Sequence, residues 1–127
     1  KLYHGITIRR MRGREKMYIL VTYVPPSHLE VVKDALFAAG GGAIGAYDQC
    51  CFQTLGTGQF RPLAGSSPFV GTQDTLERCD EWRIELAVEK DRAAAVVAAL
   101  LASHPYEVPA YHLIPVITDK ELTWQKP

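Results

Sequence analysis

The chain lacks the features that mark several special classes of protein. Its 127 residues contain no apolar run near the ~20 residues that a membrane-spanning helix requires. Its first residues lack the long apolar centre of a secretory signal. The three cysteines are an odd number without a CxxC pair, which favours a reduced protein over a disulfide framework. We therefore expect a cytoplasmic protein that does not act at a membrane.

Complete catalytic motifs are also missing. The sequence contains no Walker phosphate-binding motif and no spacing typical of a closed zinc site. No Ser-His-Asp or Cys-His pair can be placed together from the sequence alone. These absences favour a protein that is not an enzyme, and an enzymatic site would have to be assembled from several subunits.

Charge is balanced overall but unevenly distributed. The net charge is zero, yet residues 1–16 hold six Lys or Arg against Glu15 alone, so the remainder carries a net charge of −5. The basic run at residues 9–14 has no helical apolar face, and nucleic-acid binding is not expected. We expect residues 1–16 to be a disordered extension, from an upstream start or an expression vector, and residues 17–127 to form a single domain.

Two stretches of the chain, 64 positions apart, resemble each other. Residues 24–39 are echoed by residues 88–103, with the apolar positions in register. Ala46-Tyr47-Asp48 is echoed in the same way by Ala110-Tyr111-His112. A doubled strand–helix–strand unit explains this pattern.

The first half of the doubled unit predicts two strands around one helix. Residues 17–24 are rich in β-branched and aromatic residues and form a central strand. Ser27 and Glu30 have the spacing of a capping box at the start of a helix, which the glycines at 40–42 end. A strand over residues 43–54 and a long loop over residues 56–71 follow.

The second half predicts the same order of elements. Residues 82–88 alternate between apolar and polar, as in a strand with one covered face. Asp91 caps a helix that runs to residue 103 and buries Val96, Val97, Leu100 and Leu101. Residues 111–117 form the last strand of the repeat, and residues 121–125 form a short edge strand or a helical turn.

The order β-α-β-β-α-β indicates an α+β fold of the ferredoxin-like type. It has a four-stranded antiparallel sheet with two helices on one face. Ile19, Val21 and Tyr23 alternate with residues that must face the helices, so the other face of the sheet also carries apolar side chains. Oligomerisation is the natural way to cover them.

Four segments resemble motifs of one known family: Tyr47-Asp-Gln-Cys-Cys-Phe-Gln-Thr54, Gly56-Thr-Gly-Gln-Phe-Arg-Pro-Leu63, Gly65-Ser-Ser-Pro-Phe-Val-Gly71 and His104-Pro-Tyr-Glu-Val-Pro-Ala-Tyr111. The chain resembles the small YqfO-type domain of the Nif-three-like (GTP cyclohydrolase type 2-like) proteins, which is itself similar to CutA and PII proteins. The resemblance implies a PII/CutA-like sheet assembled into trimers, with clefts between subunits. It implies no dimetal site, because the larger Nif-three-like proteins carry those residues in flanking halves that this chain lacks.

Five residues are candidate metal ligands: Asp48, Cys50, His104, Glu107 and His112. The repeat places Asp48 and His112 at equivalent ends of the two outer strands, and thiolate with imidazole suits a divalent ion such as Cu or Zn. The alternative is structural: Cys50 is then a buried apolar residue, and His104 ends its helix.

The loop over residues 56–71 is a candidate for binding a small anionic ligand. Its place between the second and third strands matches the effector-responsive loop of PII proteins. Glycines, a guanidinium and hydroxyls can form an anion-binding nest, and the candidates are Gly56, Gly58, Arg61, Ser66 and Ser67. The alternative is that Phe60 and Phe69 anchor the loop in a structural role.

Aromatic residues near the repeated Ala-Tyr pairs allow two interpretations. Tyr47 and Tyr111, with Tyr106 and Trp124, either line a ligand cleft or pack with their hydroxyl groups hydrogen-bonded. Glu81 and Glu85 are interpreted as part of a polar strand face.

The sequence thus supports three functional hypotheses. The leading one is a non-enzymatic homo-oligomer, a trimer, that binds a small ligand or a divalent metal ion at clefts between subunits. The alternative is a structural or interaction domain that organises protein partners. The third is a metal-dependent hydrolase of a nucleotide-type substrate, which only the name of the wider family suggests.

Overall fold

A computed structural model describes residues 6–8, 16–118 and 122–124 of the chain. Short 3₁₀ turns at Pro26–His28 and Lys90–Arg92 lead into the two α-helices. In chain order the regular elements are β1 (Ile6–Ile8), β2 (Met17–Val24), α1 (Leu29–Ala38), β3 (Phe52–Phe60), β4 (Glu77–Glu89), α2 (Ala93–Ser103), β5 (Tyr111–Val116) and β6 (Leu122–Trp124). None of the helices in these ranges is long and apolar enough to cross a membrane.

The main sheet has four antiparallel strands in the order β3-β4-β2-β5. The two central strands pair from Met17 opposite Glu89 to Val24 opposite Trp82. Strand β5 borders β2, and β3 borders β4. The predicted α+β, ferredoxin-like arrangement and the adjacency of its central strands are therefore confirmed.

Both helices pack on the same face of the sheet. Side chains four residues apart on each helix, Val32 with Leu36 and Val96 with Leu100, are fully buried. They meet alternate residues of the two central strands. Those strand residues are Leu20, Val24, Ile84, Leu86 and Val88. The prediction that Leu101 also faces inward is wrong, because 51% of its surface is exposed.

The face of the sheet away from the helices, here the open face, also carries apolar side chains. Val21 lies opposite His112 and Ile19 opposite Ile114, so these four residues share this face. Phe52 of β3 is 66% exposed and Ile114 of β5 is 46% exposed. The apolar second face that the alternation in β2 predicts is therefore present.

The predicted helix caps are not formed. A 3₁₀ turn moves the start of each α-helix beyond Ser27 and Asp91, so His28 and Arg92 occupy the N-cap positions without a side-chain cap. The hydroxyl of Ser27 instead bonds to Nδ1 of His28, and Glu30 pairs with Lys33 within α1. The capping-box prediction is wrong because it ignores this extra turn.

The strand predicted over residues 43–54 forms only at residues 52–54, and the prediction is wrong over residues 43–51. Residues 43–51 turn back on themselves, with positive φ at Gly45 and Gln49 and a bridge between Ile44 and Tyr47. Strand β3 begins at Phe52 and takes in the first part of the predicted loop. The repeat therefore loses register after α1, since Tyr111 begins β5 whereas its counterpart Tyr47 lies in a turn.

The two short strands lie outside the main sheet. Strand β1 pairs antiparallel with β6, from Ile6 opposite Trp124 to Ile8 opposite Leu122. The edge-strand alternative for residues 121–125 is confirmed at Leu122–Trp124, although its partner is β1. Of the segment 1–16, for which disorder is expected, the structure describes β1 and residue 16, and residues 1–5 and 9–15 lie outside the described residues.

Candidate functional site

A cleft of about 290 Å³ opens where the segment 61–76 folds beside the segment 104–110. We call it the loop cleft. Its walls come from the ends of β2 and β3, from the middle of β4 and from both segments. The residues that matter for its chemistry are Tyr23, Phe60, Phe69, Glu81, Tyr106 and Glu107.

A hydrogen bond between Tyr106 and Glu81 joins two walls of the loop cleft. The Tyr106 hydroxyl donates to Oε2 of Glu81 at 2.8 Å. Burial raises the pKa of Tyr106 well above its usual range, and the hydrogen bond to Glu81 and its negative charge add to this effect. Tyr106 is therefore a neutral donor that orients the carboxylate at any physiological pH.

A glycine provides the space that Glu81 occupies. A Cβ atom added at Gly58 would collide with the Glu81 carboxyl group, whereas nothing lies near a Cβ added at Gly56. Both glycines belong to β3, and in the register of the sheet Gly56 is opposite Glu81 and Gly58 opposite Cys79. Gly58 thus lets a side chain from the neighbouring strand lie across it.

The buried side chain of His104 fixes the position of Tyr106. Only 6% of His104 is exposed, and its Nε2 donates to the carbonyl oxygen of Tyr23 at 2.6 Å. Its Nδ1 accepts the backbone N–H of Tyr106 at 3.1 Å, so one tautomer satisfies both bonds. The two rings also lie 4.7 Å apart between centroids. Both ring nitrogens are therefore occupied within the chain.

The buried His104 predicts a specific pH dependence of stability. Burial holds the pKa of His104 below its ordinary value of 6.5. The unfolded chain therefore takes up a proton at a pH where the folded chain does not, and stability is lost as the pH falls below 6.5. Urea unfolding of the wild type should show this loss between 6.5 and the lowered folded pKa. His104→Gln should show a smaller loss over the same range, and equal losses in both proteins would contradict the assignment.

Contacts within the chain hold the segment 61–76 over the loop cleft. Ser67 donates its backbone N–H to Oε2 of Glu107 at 3.0 Å. The N–H and the hydroxyl of Ser66 both donate to the carbonyl oxygen of Leu63. The Phe69 ring lies 6.1 Å from that of Tyr106. The Ser66 hydroxyl and the backbone N–H groups of Ser66 and Ser67 are thus already used within the chain.

The candidate ligand residues of the sequence analysis have different environments. Ser66 and Glu107 line the loop cleft, and Gly58 adjoins Glu81. Arg61 is exposed and is not among the residues of the cleft wall. Tyr111 is half-buried against the core, whereas Tyr47 is 76% exposed in its turn.

The five candidate metal ligands do not meet within one chain. Asp48 lies with Asp34 and Gln49 at a separate depression, and the thiol of Cys50 donates to the backbone oxygen of Asp48. His112 is exposed on the open face, and no group of three or more His, Cys, Asp or Glu in the described ranges could hold a metal ion.

Sequence reasoning missed Glu81 as a residue of the site. Alternation along β4 predicts a polar strand face, and that prediction gives no reason to single out one carboxylate. The signal was the pair of glycines in β3, because a glycine inside a strand often marks close approach of another group. Tyr23 was assigned only to the open face, although its backbone oxygen anchors His104.

The sequence of this chain is similar to parts of several longer proteins. No family model matches the chain. It is 46% identical over 107 residues to a GTP cyclohydrolase 1 type 2 homolog of Halalkalibacterium halodurans, covering 84% of this chain and 29% of that protein. It is 44% identical over 97 residues to the homolog of Bacillus subtilis, covering 76% of this chain and 26% of that protein. The chain thus spans between a quarter and a third of the length of these relatives.

Solved structures of related proteins have the same fold over most of this chain. A Bacillus cereus protein related to NIF3 superposes with a TM-score of 0.71 at 38% identity, over 82% of this chain and 26% of that one. CutA1 of Shewanella sp. SIB1 gives a TM-score of 0.60 at 16% identity, over 81% of this chain and 83% of that one, and shares the fold alone. The expected resemblance is confirmed: the chain matches a domain-sized part of the Nif-three-like, YqfO-type GTP cyclohydrolase 1 type 2 homologs, and it has the fold of CutA and PII proteins.

Proposed function

We propose that this chain is a non-enzymatic, oligomeric module that binds a small ligand in the loop cleft. The observation that carries the proposal is the Tyr106–Glu81 hydrogen bond, set in a cleft with aromatic walls. Binding sites for small molecules are typically concave and mostly apolar, with a few polar groups in fixed positions. Here His104 fixes the donor and Gly58 leaves room for the acceptor.

The chemistry of the cleft favours binding over catalysis. Burial and the nearby charge of Glu81 raise the pKa of the Cys79 thiol, which makes it a poor nucleophile at neutral pH. The ring of His104 has both nitrogens bonded, so it has no free position for general base catalysis. The hydrolase hypothesis centred on Asp48 has less support, because Asp48 is exposed and lies at a separate depression.

The open face supports the oligomeric part of the proposal. Its exposed apolar residues, Phe52 and Ile114 among them, would be buried between subunits. The resemblance to CutA and PII proteins implies a trimer with clefts between subunits. In such a trimer a neighbour would cover the loop cleft, whose exposed rim includes Val108.

A divalent metal ion is a second candidate ligand. One protein with the same fold is CutA of Archaeoglobus fulgidus, a periplasmic divalent cation tolerance protein. A Cu or Zn site in this chain would need ligands from more than one subunit, with Asp48, Glu107 and His112 as the exposed candidate donors. His104 is a poor ligand because both of its ring nitrogens are bonded.

A purely structural or interaction role is the remaining alternative. Ile44 and Tyr47 project from the turn between α1 and β3, and each exposes more than half of its surface. Such residues are typical of a protein contact site. This role predicts assembly without any bound small molecule.

Native mass spectrometry of the purified chain tests the proposal. We expect an assembly of about three times the chain mass of 14.1 kDa, carrying a bound small molecule. Tyr106→Phe should retain the assembly but lower ligand occupancy about tenfold. The substitution removes the hydrogen bond from Tyr106 to Glu81, so the carboxylate is no longer held in position. Tyr47→Phe, which removes an exposed hydroxyl, is the matched control.

Two results of this experiment would contradict the proposal. A trimer that carries no small molecule from any preparation would favour the structural role. A monomer at micromolar concentration would remove the oligomeric part.

A further inference from the structure

The loop cleft carries negative charge and no described positive charge. Its wall includes two carboxylates, Glu81 and Glu107, and contains no lysine, arginine or histidine among the described residues. Tyr23 and Tyr106 are its other titratable groups, and the pKa of Tyr106 is raised by burial, so this hydroxyl stays neutral. The cleft therefore has a field that attracts cations.

The charge of Glu81 has no partner cation in the described chain. Its Oε2 accepts the hydroxyl of Tyr106, a neutral donor. Arg83 is the next open-face residue along β4, and its Nε is bound to Oε1 of Glu85 at 3.0 Å. The Glu81 carboxylate thus keeps acceptor capacity for a ligand.

Aromatic rings share the cleft wall with this carboxylate. Tyr23, Phe60, Phe69 and Tyr106 all contribute to the cleft wall. The face of an aromatic ring is electron-rich, and it attracts ammonium groups within about 6 Å of the ring centre. A carboxylate beside several aromatic rings is therefore suited to an amine with an apolar body.

The loop donors expected to hold an anion, the backbone N–H groups of Ser66 and Ser67, are occupied, and the expected cation lies elsewhere. The N–H of Ser67 is bound to Glu107, and that of Ser66 is bound to Leu63. Arg61, the expected cation of the loop, does not line the cleft. A phosphate or carboxylate ligand would meet two carboxylates, and no cation of the described wall would balance its charge.

We propose that the loop cleft binds organic ammonium ions. The protonated amine would donate to Glu81, and the apolar part of the ligand would pack against the aromatic wall. This inference rests on the proposed function, since it names the class of ligand that the same cleft accepts. The volume of about 290 Å³ is at the small end of the range for ligand pockets, which favours a ligand with few non-hydrogen atoms.

Calorimetry with three probes that share one body tests the ligand class. The probes are benzylamine, which is protonated at neutral pH, benzyl alcohol and benzylphosphonate. We expect benzylamine to bind at least about tenfold more tightly than benzyl alcohol, with benzylphosphonate weakest. Glu81→Gln should weaken benzylamine about tenfold and leave benzyl alcohol unchanged, because only the charged hydrogen bond is lost.

The outcomes separate the two proposals. Tightest binding of benzylphosphonate, or equal binding of all three probes, overturns the ammonium inference and leaves the cleft as a binding site. An unchanged affinity of Glu81→Gln for benzylamine also overturns it. No binding of any probe at millimolar concentration counts against both the ligand class and the binding function of the cleft.

Discussion

Leu100→Ala is expected to lower the free energy of unfolding by about 2–5 kcal/mol. The side chain of Leu100 is fully buried between α2 and the sheet, so its loss removes apolar contacts and leaves a cavity. Leu101→Ala, at the next position of the same helix, should change this free energy by less than about 0.5 kcal/mol. Its side chain is half exposed, and alanine is at least as good a helix former as leucine.

Urea unfolding of both variants at one protein concentration measures this difference. The concentration must be fixed because an oligomer gains apparent stability by mass action. Equal losses in the two variants would mean that α2 does not lie on the sheet with the rotation described here. A small loss at Leu100 alone would mean that the core is not closed by this helix.

The same pair of residues shows how far the sequence predicts the fold. The strands and helices follow from apolar spacing, and the buried positions of α1 agree with that spacing. Helix α2 is apolar almost all round its surface, so spacing alone could not separate Leu100 from Leu101. Only the position of the helix on the sheet distinguishes them.

Local chemistry explains where the prediction of elements failed. The motifs at Ser27 and Asp91 are real sequence patterns, but a short 3₁₀ turn competes with them for the same residues. The turn at residues 43–51 depends on positive φ at Gly45 and Gln49. Its sequence contains enough β-forming residues to resemble a strand.

The candidate site could be predicted only in part. Ser66 and Glu107, which the motifs single out as candidate anion and metal ligands, line the loop cleft. The contact between Glu81 and Tyr106 joins residues 25 positions apart, and the contact between Tyr23 and His104 joins residues 81 apart. Such pairs form only when distant parts of the chain fold together, so the spacing of neighbouring residues cannot predict them.

Gly58→Ala is expected to disrupt ligand binding with little loss of stability. The added Cβ would displace the Glu81 carboxyl group, which is the mobile end of a long side chain, and would break its bond to Tyr106. Gly56→Ala is the matched control, because it adds the same atom to the same strand where the space is open. Any general effect of replacing a strand glycine is therefore common to both variants.

The affinity of benzylamine for the wild type, Gly58→Ala and Gly56→Ala, measured by calorimetry, tests the central claim most directly. The arrangement of Gly58, Glu81 and Tyr106 predicts that Gly58→Ala weakens binding about tenfold or more. It predicts that Gly56→Ala binds as the wild type does. Equal affinity in all three proteins would show that the loop cleft is not the binding site.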